Sequence, residues 1–215
     1  MPSWTSYLLF ISFALAASFT PGPAVMLSIH NALHLGWRHA IWSSLGNITG
    51  LLVLSTLSAL GLNAVLQSSA AAFTLLKFVG AAYLIWLGVQ QWRRAGARPS
   101  AELAQPRRAQ PPLAAAPHAQ YPRGLMVALT NPKAILFIAA LFPQFISLTK
   151  PMLPQYATLT LSFMLVSLLA LSTYASLAVL ARRRLKAWFA SGWPQRVSGV
   201  VFCAFGLALL RLRRP

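Results

Sequence analysis

Two proline-containing breaks inside long apolar stretches limit what this chain can fold into. The first is a Pro-Gly-Pro run at 21–23, and the second is Asn-Pro-Lys at 131–133. Proline lacks a backbone N–H and clashes with the carbonyl four residues earlier, so we expect freed carbonyls at Ala17, Phe19 and Ala128. Hydrocarbon offers such a carbonyl no hydrogen-bond partner. Both breaks should therefore lie against other protein groups or a water-filled cavity.

The composition indicates that these apolar stretches lie inside a membrane. Hydrophobic residues make up 57% of the 215 residues and charged residues only 9%, with a mean hydropathy of +0.63. Soluble domains carry roughly 25% charged residues. A bilayer core of about 30 Å requires about 20 apolar residues per helix, and the chain holds enough for several such helices. The composition predicts an all-α membrane protein.

The apolar residues fall into six stretches, which we interpret as six transmembrane helices in two halves. The stretches lie near residues 5–29, 39–62, 70–92, 123–146, 153–181 and 193–211. We expect a first three-helix half at 1–92, a flexible basic cytoplasmic linker at 93–122 and a second three-helix half at 123–215. The linker is rich in proline, alanine and arginine and contains the chain's only acid, Glu102. Such a segment cannot bury a core of its own.

The odd number of helices in each half bears on how the halves are related. Two homologous three-helix halves in tandem must insert with opposite orientations. We therefore predict a 3+3 inverted repeat with broken first and fourth helices. The support within the sequence is the similar length of the halves and the early proline break in each. Two unrelated halves with incidental prolines are the alternative.

The positive charge is large but concentrated. The chain has 18 Lys and Arg and a net charge of +17, which could suggest nucleic acid. Most of these residues lie in two stretches between apolar segments: Arg93, Arg94, Arg98, Arg107, Arg108 and Arg123, then Arg182, Arg183, Arg184, Lys186 and Arg196. This is the pattern of cytoplasmic loops, not a folded basic face with stacking aromatics. We expect no nucleic-acid partner, a cytoplasmic linker and periplasmic termini, although the basic tail at 211–214 departs locally from the rule.

A few polar residues within the apolar stretches are candidates for contacting a solute. Lys133 should lie well inside the membrane, where ionisable side chains are costly and mark functional sites; the alternative is a lysine that only snorkels to the interface. No acid lies in any apolar stretch, so backbone carbonyls, Asn131 or a carboxylated solute must pair with it. Asn47 either braces a broken helix or contacts a solute. Gly46 and Gly50 have the spacing of close helix packing.

Paired breaks in corresponding helices are typical of the binding site of a transporter. The substrate-binding residues that we predict are those of the two breaks together with one amide of the second stretch: Pro21, Gly22, Pro23, Asn47, Asn131, Pro132 and Lys133.

Other chemistries find little support in the sequence. His30 and His34 are four residues apart and could hold a metal on one helix face, but a hard cation would need carboxylates. We expect no metal site and no cofactor. Cys203 is the only cysteine, and the sequence contains neither a Walker loop nor a GxSxG motif, so we predict no catalytic residues and no enzyme.

Several stretches resemble the LysE/RhtB family of amino-acid exporters, of the lysine-exporter and homoserine–threonine efflux types. They are residues 18–23, residues 36–38 leading to Gly46 and Gly50, residues 77–88, and residues 131–137 leading to Phe-Pro-Gln-Phe at 142–145. The resemblance covers most of both halves and leaves out the linker. The chain departs from the family at Ala24, where Asn or Asp often follows Pro-Gly-Pro, and at Ala40, where Gly is frequent.

The resemblance implies a secondary transporter that exports amino acids or small derivatives across the bacterial inner membrane, coupled to the ion gradient. Its partners would be a small-molecule substrate and membrane lipid, with a homo-oligomer left open. Broken-helix ends offer N–H groups to a carboxylate and freed carbonyls to an ammonium, which suits a zwitterion. The alternatives are a metal-ion exporter of related architecture and a membrane scaffold that transports nothing.

Overall fold

The computed structural model describes residues 4–68, 70–95, 116–147, 149–181, 188 and 191–211, and all regular structure in these ranges is helical. The described residues form eight α-helices: α1 Trp4–Phe19, α2 Pro23–His34, α3 Trp37–Ser68, α4 Ala70–Arg94, α5 Tyr121–Thr130, α6 Pro132–Leu141, α7 Met152–Leu180 and α8 Trp193–Arg211. Two short 3-10 helices, Pro117–Gln120 and Phe142–Phe145, flank α5 and α6. The predicted all-α class is confirmed.

Two helices are long and apolar enough to cross a membrane by themselves. They are the Trp37–Gly61 part of α3 and the whole of α7, which is 29 residues long. Two bent pairs, α1 with α2 and the segment Pro117–Thr130 with Pro132–Phe145, pass the same test when each pair is taken as one span. The described residues therefore contain two to four candidate spans, where the sequence suggested six.

Both predicted breaks are present and bend the chain by similar angles. The axes of α1 and α2 differ by 51°, and those of the helical segments on either side of Asn131 differ by 54°. Proline at the first position of α2 and of α6 explains where these helices begin, because its missing N–H has no intrahelical partner there in any case.

Glycines set how closely the helices of the bundle approach. Helix α3 packs on α5 and α7, α2 on α3 and α7, α1 on α7, and α4 on α8 and α6. A Cβ at Gly46 of α3 would collide with the carbonyl oxygen of Tyr121, and one at Gly124 of α5 would collide with that of Ser43. Helices α3 and α5 therefore touch backbone to backbone.

A phenylalanine-rich core lies between the two bent pairs. Phe10 and Phe13 of α1 contact Phe145, and the ring of Phe137 in α6 stacks on Phe163 of α7 with centroids 4.7 Å apart. A smaller apolar cluster joins α2 to the second half of α7. The first cluster packs α1 and α6 against α7, and the second packs α2 against α7.

Helices extend into both ends of the stretch that we predict as a linker. Residues 96–115 lie outside the described residues, as does most of the second basic stretch, at 182–187. Arg93 and Arg94, however, belong to α4, and residues 117–122 are helical with Gln120 fully buried. Pro117 and Pro122 each sit in the first turn of a helix, where proline is tolerated. These two prolines of the predicted linker therefore start helical segments.

Candidate substrate site at the two helix breaks

The C-terminal end of α1 is held by side chains from other helices. The carbonyls of Ala17 and Thr20 both accept hydrogen bonds from Lys133 Nζ, at 2.9 and 3.0 Å. The carbonyl of Phe19 accepts one from the Tyr174 hydroxyl at 2.7 Å, and that of Pro21 accepts one from Gln91 Nε2 at 3.4 Å. Four carbonyls between Ala17 and Pro21 are thus satisfied from α6, α7 and α4.

Lys133 crosses from the second break to the first. Its backbone N–H lies at the start of α6, while its ammonium lies at the end of α1. Lys133 and Ala17, which this contact joins, are 116 residues apart in sequence. A Cβ placed on Gly22 would be 3.2 Å from Lys133 Nζ, so the absence of a side chain there leaves space for the ammonium. Of the partners that the sequence left open for Lys133, the structure shows backbone carbonyls.

The second break is satisfied within its own segment. Asn131 caps α6 by accepting a hydrogen bond from the Lys133 N–H at 3.1 Å through Oδ1. Its own N–H donates to the Ala128 carbonyl at 3.2 Å, the carbonyl that we expected Pro132 to free. An asparagine at the N-cap stabilises a helix by roughly 1 kcal/mol relative to alanine. By contrast, no described side chain caps the start of α2 at Gly22.

A small cavity lies where the two breaks meet. Its volume is about 40 Å³. Since one water needs roughly 10–15 Å³ on this measure, the space holds on the order of three waters. Both polar and apolar side chains from five helices line it: Ala17, Ser18, Ala24, Val25, Asn47, Leu51, Asn131, Lys133, Ala134, Phe137, Phe163, Ser167 and Leu171.

The cavity collects only part of the predicted substrate site. Asn47, Asn131 and Lys133 are on its wall. The other four predicted residues, Pro21, Gly22, Pro23 and Pro132, shape the breaks without lining the space. Ala24 is also a wall residue. The LysE/RhtB exporters often carry Asn or Asp at this position, so alanine makes this side of the cavity less polar.

Two serines that we did not predict as site residues, Ser18 and Ser167, also line the cavity. Ser167 of α7 accepts a hydrogen bond from Asn47 Nδ2 at 3.4 Å, which joins α3 to α7 across the space. Ser18 Oγ is buried and has no hydrogen-bond partner among the described residues. Ser18 begins the run at 18–23 and could have been noticed there. Ser167 lies among several serines and threonines of α7, and nothing in the sequence distinguishes it.

The two histidines of α2 do not form part of this site. The rings of His30 and His34 are 4.7 Å apart at the far end of α2 from the break. Within the described ranges, no group of three or more His, Cys, Asp or Glu side chains comes together. A histidine pair alone supplies two of the four ligands usual for zinc.

The arrangement combines one ammonium, two amides and two hydroxyls with a wall of aromatic and aliphatic side chains. The chain's only acid, Glu102, belongs to the stretch between α4 and α5. Acceptors for a positive group at this depth are therefore backbone carbonyls and neutral side chains. Lys133 and the uncapped N-terminal N–H groups of α2 favour a negative group.

Comparison with known proteins places the chain among bacterial membrane proteins. It is 39% identical over 185 residues to a homoserine/homoserine lactone efflux protein of Salmonella typhimurium, covering 86% of this chain and 82% of that protein. It is 34% identical over 210 residues to an uncharacterized membrane protein of Vibrio cholerae, covering 96% and 95%. A threonine efflux protein of Escherichia coli is 28% identical over 214 residues, covering 94% and 98%.

No solved structure matches the chain. Residues 15–213, which include both breaks and the whole cavity wall, match the family described as LysE type translocator. The chain therefore belongs to the LysE type translocator family.

Proposed function

We propose that this protein is a secondary transporter that exports amino acids or small amino-acid derivatives across the bacterial inner membrane, driven by an ion gradient. The chain belongs to a translocator family, and one structural observation supports the proposal most strongly. Lys133 at one helix break donates hydrogen bonds to the Ala17 and Thr20 carbonyls at the other break, beside a cavity. Broken helices that meet at membrane depth are the usual substrate site of secondary transporters.

The chemistry of the cavity favours a zwitterion with a neutral side chain. A carboxylate finds Lys133 and the start of α2, and an ammonium finds backbone carbonyls at the end of α1. The amides and hydroxyls of Asn47, Ser18 and Ser167 suit a hydroxyl or another small polar group. The relatives named for homoserine and threonine efflux are similar to this chain over more than four fifths of its length. We therefore propose small hydroxylated amino acids as the first substrates to test.

The proposed architecture is six spans arranged as a 3+3 inverted repeat, in which α1–α2 corresponds to α5–α6, α3 to α7 and α4 to α8. Three features support it. The two bends are similar, at 51° and 54°. The α3–α5 contact has its counterpart in the contact of α7 with α1. At the α4–α8 contact, a Cβ on Gly88 would meet the Gly199 carbonyl at 2.6 Å, and one on Gly199 would meet the Gly88 carbonyl at 2.7 Å.

The present conformation corresponds, in this proposal, to a closed state. A space of about 40 Å³ is far below the roughly 300 Å³ of a typical small-molecule pocket. Transport therefore requires the walls to part, and the bonds between the two breaks are the ones that must rearrange. Alternating access in inverted-repeat transporters moves one bundle of helices against another around a site near the midplane.

Uptake into inside-out membrane vesicles tests the export activity, because an exporter accumulates its substrate there. Vesicles from cells with and without the protein are supplied with radiolabelled amino acids, homoserine and threonine first, and then energised. We expect uptake that depends on the protein and is abolished by an ionophore that collapses the ion gradient. Uptake of a divalent metal, lost when His30 and His34 are replaced, would instead support a metal-ion exporter. Vesicles with abundant protein and no uptake of any solute would favour a scaffold.

The orientation we propose puts the 93–122 linker in the cytoplasm and both termini in the periplasm of the inner membrane. A cysteine introduced by Ala101→Cys in a Cys203→Ser background should react with a membrane-impermeant maleimide only after the cells are opened. A C-terminal tag should be accessible from the periplasm. Labelling of Ala101→Cys in intact cells would overturn the orientation, and a cytoplasmic tag would show that the second half has a different number of spans.

A further inference from the structure

We propose that the carbonyls of Ala17 and Thr20, filled here by Lys133 Nζ, form the subsite for the substrate's α-ammonium, and that Lys133 leaves them for the substrate's carboxylate. The proposal rests on the proposed amino-acid export and identifies which chemical group of the substrate the site recognises. In the closed state Lys133 is thus a stand-in for the substrate's amino group.

The geometry at the end of α1 is that of an ammonium site. Two carbonyl oxygens converge on one nitrogen at 2.9 and 3.0 Å, the distances of good charge-assisted hydrogen bonds. Gly22 approaches the same nitrogen closely enough that a Cβ there would lie only 3.2 Å away. The lysine side chain and an amino acid's α-amino group both present a primary ammonium with donors only, so the same carbonyls can accept from either.

The occupied subsite is continuous with the cavity. Ala17, Ser18 and Lys133 all line the space, so a solute in the cavity is adjacent to the bonds that Lys133 makes. The only acid of the chain is Glu102, in the stretch between α4 and α5, so no carboxylate of this bundle can serve as the acceptor for an ammonium. The carbonyls freed by Pro21 and its neighbours are the strongest acceptors that remain.

Charge balance explains why Lys133 must exchange partners when the substrate binds. Two ammonium groups at one pair of carbonyls repel each other, and at membrane depth this repulsion is weakly screened. A zwitterion resolves the conflict, since its ammonium takes the carbonyls while its carboxylate receives Lys133. The exchange keeps both charges paired, but it removes the direct bond between α6 and α1. Substrate binding would therefore release the two breaks from one another.

This mechanism assigns different weights to the substrate's two charged groups. The α-ammonium has to be free, because acylation removes both its charge and two of its donors. The carboxylate improves binding through Lys133, but an uncharged carbonyl at the same place still gives Lys133 an acceptor. Homoserine and its lactone, both in the printed name of one relative, share the amino group and differ in the carboxylate, so they separate the two contributions.

Competition against radiolabelled L-homoserine uptake in inside-out vesicles measures these contributions. The competitors are unlabelled L-homoserine, L-homoserine lactone and N-acetyl-L-homoserine; if threonine is the better substrate, then threonine, its methyl ester and its N-acetyl derivative replace them. The protein is compared as wild type, Lys133→Gln and the control Tyr174→Phe, which removes another donor to the end of α1 but does not line the cavity. For variants with weak transport, the ligand-induced shift in Tm of the purified protein gives the same ranking.

We expect the wild type to bind homoserine and the lactone and to ignore the N-acetyl compound. Lys133→Gln should weaken the binding of homoserine at least about tenfold, the value of a charged hydrogen bond, and the binding of the lactone much less. Tyr174→Phe should change the relative binding of neither homoserine nor the lactone. Competition by N-acetyl-L-homoserine as strong as that by homoserine, which needs no variant to observe, overturns the proposal. Equal weakening of homoserine and lactone in Lys133→Gln does so as well. Wild-type vesicles that take up no amino acid overturn the proposed function itself.

Discussion

The two helix breaks have almost the same bend but satisfy their backbone in opposite ways. The second break is one residue long, and Asn131 caps α6 and bonds the Ala128 carbonyl within its own segment. At the first break, Thr20 to Gly22, the carbonyls of Phe19, Thr20 and Pro21 instead accept hydrogen bonds from Tyr174, Lys133 and Gln91 of other helices. A self-contained break can move as a unit. A break whose carbonyls are bonded by donors from other helices changes its hydrogen bonds whenever those helices shift.

The helix contacts on either side show the same difference. Helix α5 lies against α3 through Gly46, Gly50 and Gly124, where backbones touch and leave no room to slide. Helix α1 lies against α7 through side-chain hydrogen bonds, Tyr7 with Ser162 at 2.8 Å and Tyr174 with the Phe19 carbonyl. A side chain can exchange one hydrogen-bond partner for another when helices move. Two helix backbones in contact at glycines can only keep their distance or separate. The comparison predicts that the first break rearranges during transport while the α3–α5 pair stays fixed.

The largest effect is expected where backbones touch. Gly46→Leu would drive a side chain into the Tyr121 carbonyl, and overpacking costs about 1–3 kcal/mol even for small additions. We expect the variant to yield little folded protein in size-exclusion chromatography of detergent extracts. Gly61→Leu, in the same helix at a position where a Cβ would meet no described atom within 4 Å, is the matched control and should behave as wild type. Normal folding of Gly46→Leu would mean that α3 and α5 are separable.

The next largest effect separates the two breaks by their prolines. Replacing Pro21 and Pro23 together with alanine supplies the N–H groups that the Ala17 and Phe19 carbonyls lack, so α1 can continue straight. Transport should fall to near background while the Tm does not decrease. Pro132→Ala should have a much smaller effect, because Asn131 already satisfies the second break. Equal loss of vesicle uptake in both variants would show that the two breaks work alike.

A smaller effect is expected from the hydroxyl that bonds the first break. Tyr174→Phe leaves the Phe19 carbonyl without its donor, and an unsatisfied buried polar group costs about 1–3 kcal/mol. Tyr7→Phe is the control in the same interface, because Ser162 keeps its bond to the Thr158 carbonyl. Thermal unfolding of the two purified variants should show the lower Tm for Tyr174→Phe. The reverse order would mean that the α1 carbonyl finds another donor readily.

The smallest effect is expected outside both breaks. Deleting residues 101–115 removes half of the predicted linker and no residue of the breaks, the cavity wall or the described helices. Residues 95–100 and 116 then join α4 to the helical segment that begins at Pro117, and seven residues can span up to about 25 Å. Vesicle uptake should remain close to that of the wild type. Loss of uptake at normal protein abundance would show that transport depends on more than the two halves.

The sequence by itself determined the all-helical class, the position of both breaks and the family. These follow from local chemistry: few charges, long apolar stretches, and prolines that cannot continue a helix whatever surrounds them. The capping of α6 by Asn131 is equally local, since donor and acceptor are two residues apart. The 3+3 repeat and the substrate contacts of the two breaks stay predictions.

Only the tertiary structure decided which groups satisfy the first break and which side chains share the cavity. Lys133 and Ala17 are 116 residues apart, Tyr174 and Phe19 are 155 apart, and Asn47 and Ser167 are 120 apart. A buried carbonyl requires some donor, but its chemistry does not say which helix brings one. That choice depends on how closely the glycines let the helices pack and on where the bends direct their ends.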